Sequence, residues 1–307
     1  MNNSSVCPLC QIPFSKEITN CVDGLTYLKC GSCEIEALAL DANQDRKKWF
    51  LHQQEQYFGE LDDSNSPILL ETEAQENAKR LAIVKNFLKA GSKICEVGPG
   101  SGRYAAALKL SDFEIVVVEQ ARISTSLAAM LSGIELHNID FQMFAEKKSN
   151  FDAVCSFHVV EHIPNFLEHL KKANAIVKQG GYLFLATPSA DAIQHKLPFR
   201  LSPHYDAAHF YVFSELALRK ALEASGWELI EIRTNEYLVY WARIATKLFR
   251  KIFQKSETQT AGAYIQNAGL FSLCIYKFFS VFLSPLLKLQ SSLHLGNELF
   301  VVAKKRQ

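Results

Sequence analysis

The stretch KICEVGPGSGRYAAAL, residues 93–108, decides the fold class. It is typical of a short apolar strand, a turn with three glycines in five residues, and the first turns of a helix. Glycine carries no Cβ, so the backbone of this turn can approach a ligand closely. In sheets of parallel strands, ligands bind beyond the carboxyl ends of the strands, where this turn lies. We therefore expect a ligand site here.

The chain on both sides of this stretch alternates between strand and helix patterns. The predicted strands lie at 93–97, 113–119, 134–138, 151–157, 180–188, 227–233 and 297–305. The predicted helices lie at 71–91, 102–110, 121–132, 164–178 and 214–225. The apolar runs IVVV and YLFLA suit strands that are covered on both faces. This pattern predicts an α/β fold with a parallel sheet and helices on both faces.

Composition limits the class of protein. The chain has 307 residues, of which 48% are hydrophobic, so it can bury a full core. Its 33 basic and 32 acidic residues leave a formal charge of +1, which excludes a global field that would attract nucleic acid. The N-terminus has no positive region followed by an apolar region, so we expect no signal peptide and a cytoplasmic, reducing setting.

Four of the eight cysteines form two C-x2-C pairs near the N-terminus: Cys7, Cys10, Cys30 and Cys33. Nineteen residues separate the pairs, which is close to the spacing of a zinc ribbon. Four thiolates complete a tetrahedron around Zn2+ and leave no open position, so the site would be structural. The alternative is a set of unconnected buried cysteines, and Cys21 is expected to be a lone thiol. We predict a zinc ribbon at 1–40, a helical connector at 41–70 and a second domain at 71–307.

The spacing of the glycines argues against a dinucleotide site. The fingerprint G-x-G-x-x-G/A requires a small residue at its last position, where this chain has Arg103. The pattern is instead E-x-G-x-G-x-G, which starts at Glu96. A carboxylate here favours a cationic or hydroxyl-bearing ligand over a pyrophosphate.

Glu119, at the end of the next strand, could accept hydrogen bonds from ribose hydroxyls. Asp140 and Phe141, after the third strand, could hold an adenine.

At this point the chain resembles the class I S-adenosylmethionine-dependent methyltransferases, over roughly residues 71–233 and the last strand. FDAVCSFHVVEHIPN, GGYLFLATP and AHFYVFSELALRKALEASGWELIEI are similar to later segments of that family. The ubiquinone-pathway O-methyltransferases and the methyltransferases of sugar and polysaccharide pathways are the most similar subgroup, and some sugar members carry a four-cysteine module. Gln120 departs from the Asp or Ser more common in the family at that position.

The resemblance implies a Rossmann-like sheet of seven strands and S-adenosylmethionine as cofactor. The cofactor-binding residues that it implies are Glu96, Gly98, Gly100, Gly102, Glu119, Asp140, Phe141 and His158. The segment around His158 would close over the methionine end of the cofactor.

Transfer of a methyl group to oxygen requires removal of a proton, and a histidine is suited to that role. The candidate catalytic residues are His158, His162 and His209. Glu161, between the first two of these, could join them in holding a divalent cation. However, His158 occupies a position where the resemblance leads us to expect an acid. We therefore favour the alternative that Glu161 and His162 cap or hydrogen-bond the next helix.

About sixty residues, 235–296, separate the sixth strand from the last, which indicates an insertion. Its first half predicts a basic amphipathic helix, and its second half is apolar but interrupted by Lys277 and Pro285. We expect a helical hairpin that covers the site, forms a homodimer or contacts a membrane surface. The alternative is additional core packed on the sheet.

Together these features predict a methyltransferase that acts on oxygen of a small molecule, with a sugar or lipid-linked intermediate favoured over a quinone precursor. One alternative is a non-catalytic Rossmann-like scaffold that binds a partner. The other is an RNA methyltransferase, which the near-neutral charge makes less favourable.

Overall fold

A computed structural model describes residues 6–19, 25–39, 67–196, 204, 208–242, 244–245 and 270–306. The strands are β1 (Lys16–Thr19), β2 (Thr26–Lys29), β3 (Glu36–Leu38), β4 (Lys93–Val97), β5 (Glu114–Val118), β6 (Glu135–His137), β7 (Phe151–Phe157), β8 (Val177–Pro188), β9 (Tyr211–Val212), β10 (Trp227–Asn235) and β11 (Glu298–Lys305). The helices are α1 (Pro67–Phe87), α2 (Arg103–Lys109), α3 (Thr125–Met130), α4 (Phe141–Ala145), α5 (Phe166–Ile176), α6 (Ile193–Lys196), α7 (Glu215–Ala224) and α8 (Leu270–Ser292).

Seven strands form the large sheet, in the order β10-β11-β8-β7-β4-β5-β6. Only β11 runs antiparallel to its neighbours, β8 and β10. The predicted Rossmann-like fold is confirmed, and the predicted strands 93–97 and 151–157 match β4 and β7 to the residue. The helix predicted at 121–132 is shorter, because Ser124 caps α3 by accepting a hydrogen bond from the backbone N–H of Leu127.

The core lies on both faces of this sheet. Val116 and Val118 of β5 pack into one apolar cluster with α5 and α7, and Ile115 and Val117 pack into a second cluster with α1 and α2. Alternate side chains of a strand point to opposite faces, so a continuous apolar run can supply both clusters. The sheet therefore presents only its edges and strand ends to ligands.

A small sheet, β1-β2-β3-β9, carries the cysteine pairs. Three of its strands lie within residues 16–38. We use the name ribbon for the described residues between 6 and 39. The fourth, β9, comes from Tyr211 and Val212, far along the chain. The predicted domain division near residue 40 thus separates strands that pair in one sheet. Cys21 and most of the predicted connector, residues 41–66, lie outside the described residues.

The second half of the insertion is the helix α8, as the sequence predicted. It contacts α1 through a hydrogen bond of 3.0 Å between the hydroxyls of Tyr276 and Thr72, and through an ion pair of 2.9 Å between Lys277 and Glu71. Of the first half, residues 238–242 and 244–245 are helical. The predicted basic residues at 243 and 247–251 lie outside the described residues.

Candidate functional site

The candidate site lies at the edge of the large sheet where the parallel strands end. Glu96 and Glu119 lie at the ends of β4 and β5, and His158 follows β7. Antiparallel β11 begins at the same edge, because Glu298 pairs with Pro188 at the end of β8. Residues from the middle and the extreme C-terminal part of the chain therefore meet at one place.

The glycine turn, residues 98–102, follows β4 with all three glycines at positive φ. A Cβ on Gly98 would lie 2.6 Å from Cγ2 of Val159, closer than two carbon atoms can approach. A Cβ on Gly100 would meet no atom within 4 Å, so its Cα borders open space. The turn is thus fixed against the protein at Gly98 and accessible to a ligand at Gly100. Among the described residues, this arrangement suits a ligand that contacts backbone.

Glu96 is a buried acid with an unsatisfied oxygen. Its side chain is 3% exposed, and Oε2 has no hydrogen-bond partner within the described residues. Burial raises the pKa of Glu96 to about 8, and the positive charge of Arg80 opposes that shift. A buried carboxyl without a partner is unfavourable unless a cation or a donor completes it. Glu96 is therefore suited to a cationic ligand group.

Glu119 is held in place by the backbone after β5. Its Oε1 accepts a hydrogen bond of 2.7 Å from the backbone N–H of Ala121, and burial raises its pKa. The side-chain amide of Asn138 donates to the carbonyl oxygens of Glu119 and Ala121, both at 2.7 Å. Sequence reasoning missed Asn138, because its role is to close a loop and no local pattern shows this.

Asp140 and Phe141 have structural roles in the described contacts. Asp140 caps α4, since its Oδ1 accepts hydrogen bonds from the backbone N–H groups of Gln142 and Met143. The ring of Phe141 is buried and lies 4.8 Å from the ring of His169, measured between centroids. A role for these two residues at an adenine stays a prediction.

His158 is partly buried, with its side chain 31% exposed, and lies in a network of charges between two fully buried carboxylates. Its backbone is left-handed, with φ of 55°, and its Nε2 lies 2.8 Å from Oε2 of Glu298. Its Nδ1 lies 3.3 Å from Oε1 of Glu161, whose Oε2 accepts a hydrogen bond from Thr187. Burial lowers the pKa of His158, but the bonds to Glu161 and Glu298 raise it to about 10. An imidazole that is already protonated at neutral pH is poorly suited to act as a general base.

Arg80 of α1 completes this network, and the sequence did not point to it. Its NH2 group lies 2.6 Å from Oε2 of Glu298, and its guanidinium stacks over the ring of Phe157 at 4.6 Å. Both partners of the ion pair are almost fully buried, with side chains 8% and 0% exposed. Burial works against ionisation of both groups, but the opposite charge raises the pKa of Arg80 and lowers that of Glu298. The pair holds α1 against the start of β11.

His162 and His209 form a pair on the other side of Glu161. Their rings lie 4.8 Å apart between centroids. The Nδ1 atom of His162 donates to the carbonyl of Ala208 at 2.8 Å, and Nδ1 of His209 donates to that of His204 at 2.9 Å. These bonds direct Nε2 of each ring away from the backbone. Ligand atoms of Glu161, His162 and His209 lie within 4.8 Å of one another, so the three could hold a divalent cation.

The four predicted metal ligands meet at one point. The sulfur atoms of Cys7, Cys10, Cys30 and Cys33 lie within 4.8 Å of one another, and all four are free of disulfides. The ammonium of Lys220 in α7 lies 3.8 Å from Sγ of Cys10. Four thiolates around Zn2+ carry a net negative charge, which this ammonium would offset. The spacing alone predicted the cluster, and the fold completes it.

The methyltransferase domain family matches residues 69–232. The ubiquinone biosynthesis O-methyltransferase of Chromobacterium violaceum is 28% identical over 109 residues, 34% of this chain and 47% of that protein. The one from Xanthomonas axonopodis pv. citri is 28% identical over 119 residues, 36% of this chain and 49% of that protein. The chain thus spans about half the length of these relatives.

Solved structures show the same fold. The 1,6-didemethyltoxoflavin-N1-methyltransferase of Burkholderia thailandensis, with S-adenosylhomocysteine bound, matches with a TM-score of 0.55 and 11% identity, over 95% of this chain and all (100%) of that one. A SAM-dependent methyltransferase from Archaeoglobus fulgidus matches with a TM-score of 0.50 and 16% identity, over 81% of this chain and 99% of that one. The family match covers more than half of the chain, on a sheet of the order described above. The chain therefore belongs to the methyltransferase domain family.

Proposed function

We propose that this protein transfers a methyl group from S-adenosylmethionine to a small-molecule acceptor. The observation that carries the proposal is the glycine turn, open to a ligand at Gly100 and flanked by the buried carboxyl groups of Glu96 and Glu119. A ligand with an ammonium group and a ribose suits these groups, which fits the cofactor. When bound, S-adenosylmethionine supplies an electrophilic methyl group on sulfur.

In this proposal the residues of the chain bind and orient. Glu96 faces the α-ammonium group of the amino acid part, and Glu119 accepts hydrogen bonds from the ribose hydroxyls. Direct displacement needs the acceptor held in line, so orientation is the main contribution of the protein. His162 or His209 would take the proton from an oxygen acceptor. We assign His158 to orientation of the site, because its imidazole is held charged by two buried carboxylates.

We propose O-methylation, with a sugar, a lipid-linked intermediate or a quinone precursor as acceptor. The names of the relatives that match in sequence support oxygen as the acceptor atom and a quinone precursor as one option. Tritiated methyl transfer into fractionated cell extract tests the acceptor class. Label in the lipid or glycan fraction supports the proposal, whereas label only in RNA supports the RNA methyltransferase alternative.

Calorimetric titration with S-adenosylhomocysteine separates an enzyme from a non-catalytic scaffold. Binding supports the methyltransferase, and absence of heat in a folded preparation would leave the scaffold as the better account. The buried, unpaired oxygen of Glu96 favours the enzyme, because a scaffold without ligand would gain nothing from that cost.

Binding of the cofactor should release a proton from Glu96. Glu96 has a pKa of about 8 in the free protein, so it is mostly protonated at pH 7. A cationic ligand favours its carboxylate, so affinity should rise with pH by up to about tenfold per unit below pH 8 and then level off. Calorimetry in phosphate and Tris buffers measures the released proton. The Glu96→Gln variant is the control, since it has no proton to release; equal proton release in both proteins would contradict the assignment.

We propose a structural Zn2+ at Cys7, Cys10, Cys30 and Cys33. Purified protein should contain about one zinc per chain by elemental analysis, and a Cys30→Ser variant should contain much less. A Cys155→Ser variant is the matched control, because that cysteine is buried in the large sheet and packs in a different apolar cluster from Cys7, Cys30 and Cys33. A folded wild-type protein free of metal would refute the site. We also propose three units, a zinc ribbon at 1–40, a connector at 41–70 and a methyltransferase domain at 71–307, with β9 of the third unit completing the sheet of the first.

We propose further that α8 binds the surface of an anionic membrane. Among the described residues, one helix is long and apolar enough to cross a membrane, Leu273–Ser292, with mean hydropathy 1.3 and 6% of it buried. Its exposed large apolar side chains are Ile275, Phe278, Phe279, Val281, Phe282, Leu286 and Leu289. All of these except Phe279 and Val281 recur at helical spacing and form a stripe. Contacts with α1 hold α8 against the rest of the protein. This arrangement favours a helix that lies on the surface of a bilayer over one that crosses the bilayer.

Charge supports a lipid surface as the partner of this stripe. Residues 236–296 contain seven Lys or Arg and two Glu, and α8 contains no acid. Anionic headgroups attract such a segment. The protein should float with vesicles of phosphatidylglycerol, and the Phe278→Ser/Phe282→Ser/Leu286→Ser variant should not. Leu110→Ser is the control, because Leu110 is 87% exposed but lies outside the stripe. A dimer broken by the triple variant, without vesicle binding, would favour a second copy of the chain.

A further inference from the structure

Residues 208–214, which we call the histidine segment, lie between the ribbon and the candidate site. On the ribbon side, Tyr211 and Val212 pair with Ala37 and Glu36 of β3. The backbone N–H of Leu38 donates to the carbonyl of Phe210 at 2.9 Å. The segment is therefore an edge strand of the sheet that carries the cysteines.

Side chains strengthen this connection at both ends of the segment. The hydroxyl of Tyr27 donates to the carbonyl of His209 at 3.1 Å, and Tyr27 is fully buried. The hydroxyl of Ser214 donates to the carbonyl of Cys33 at 2.7 Å. Cys33 belongs to the four-cysteine cluster, so the backbone next to a metal ligand is bonded directly to the end of the segment.

The opposite side of the segment holds the acid and histidine of the site. The backbone N–H of Phe210 donates to the carbonyl of Glu161 at 2.8 Å, and His162 donates to the carbonyl of Ala208. The hydroxyl of Tyr211 donates a hydrogen bond to the carbonyl of Pro164 at 3.0 Å. One short stretch of backbone thus joins the ribbon to the turn that carries Glu161 and His162.

We infer that the ribbon positions the His162–His209 pair, with Tyr27 as a positioning residue that acts through the backbone of His209. The glycine turn is held from another direction, by Val159 and by hydrogen bonds from Ser101 and Arg103 to Glu73 of α1. The ribbon therefore controls the acceptor side of the site and leaves the cofactor side intact. That assignment of sides rests on the proposed function, whereas the mechanical connection does not.

The test uses full-length, zinc-loaded protein labelled with 15N, as wild type and as Tyr27→Phe. The variant keeps the buried ring and removes only the hydroxyl that bonds to His209. Losing one hydrogen bond should reduce hydrogen-exchange protection of the Phe210 amide by about two- to tenfold. The imidazole 1H–15N signals of His162 and His209 should shift, while affinity for S-adenosylhomocysteine stays within about twofold of wild type.

Ser15→Ala is the matched control, because Ser15 lies in the ribbon and its hydroxyl bonds to Lys29 on the exposed side. It should change none of these signals. Removal of zinc with a chelator is the second arm and should move the same histidine signals further. Unchanged histidine signals in both arms would overturn the inference, and so would loss of S-adenosylhomocysteine binding in parallel with the histidine shifts. Failure of wild-type protein to bind S-adenosylhomocysteine would count against the proposed function alone, since the exchange and imidazole readouts need no ligand.

Discussion

Replacement of Arg80 by methionine is expected to lower the free energy of unfolding by about 3–5 kcal/mol. Methionine keeps much of the volume over the ring of Phe157 but removes the charge. Glu298, with a side chain 0% exposed, then loses its closest cation and retains His158. A buried carboxylate that loses a partner cannot regain the solvation it gave up on folding. Urea denaturation measures the change.

An exposed ion pair of the same length provides the control for Arg80. Arg103 lies 2.6 Å from Glu73, but the two side chains are 41% and 28% exposed. Arg103→Met should therefore cost only about 0–1 kcal/mol. Adding Glu298→Gln to Arg80→Met should recover part of the loss, because it removes the buried charge. Equal destabilisation by Arg80→Met and Arg103→Met would show that the buried network does not stabilise the fold as described.

The second large effect is expected for Gly98→Ala. At the φ of 69° that Gly98 adopts, an alanine lowers the free energy of unfolding by about 1–2 kcal/mol. Its Cβ would also lie 2.6 Å from Cγ2 of Val159. Either Val159 or the glycine turn must move, and movement of the turn would disrupt the backbone that we propose contacts the cofactor. Affinity for S-adenosylhomocysteine should fall by about tenfold or more in calorimetry.

Gly91→Ala is the control for Gly98→Ala, because it introduces similar backbone strain without a clash. Gly91 has a φ of 79°, but a Cβ there would meet nothing within 4 Å, and the residue precedes β4 on the side away from the site. It should lose stability by about 1–2 kcal/mol and keep its affinity for the ligand. The double variant Gly98→Ala/Val159→Ala should regain part of the affinity. If Gly98→Ala binds as well as Gly91→Ala, close packing at this turn is not important for the site.

Much of the fold was predictable because the signals are local. The apolar runs of β4 and β7 have the length and flanking residues of buried strands, and the structure reproduces both to the residue. The spacing of the glycines, with Arg103 where a dinucleotide site requires a small residue, predicts a ligand turn without any tertiary information. The cysteine pairs were identified in the same way, since each pair lies within one tight turn and the zinc geometry requires two such turns.

The rest of the site could not be predicted, because its partners are far apart in the chain. Arg80 and Glu298 are separated by 218 residues, and each is an ordinary charged residue in its own segment. His158 was expected to serve as a base or to close over the cofactor. Its charge is instead set by Glu161 and Glu298, which lie on either side of the ring and are distant from each other in the sequence.

The apolar helix and the ribbon illustrate the same distinction. Hydropathy identified the segment that forms α8, but only packing against α1 showed which side chains remain exposed. The cysteine spacing predicted the ribbon, but not that β9 would complete its sheet.

The sequence by itself thus determined the class of fold, the glycine turn and the two cysteine pairs, because steric preference, periodicity and residue spacing act over a few residues. The tertiary structure alone decided which buried charges pair and which surfaces stay uncovered. These depend on the order of strands in the sheet, which brings β11 between β8 and β10 and so places Glu298 beside Arg80 and His158.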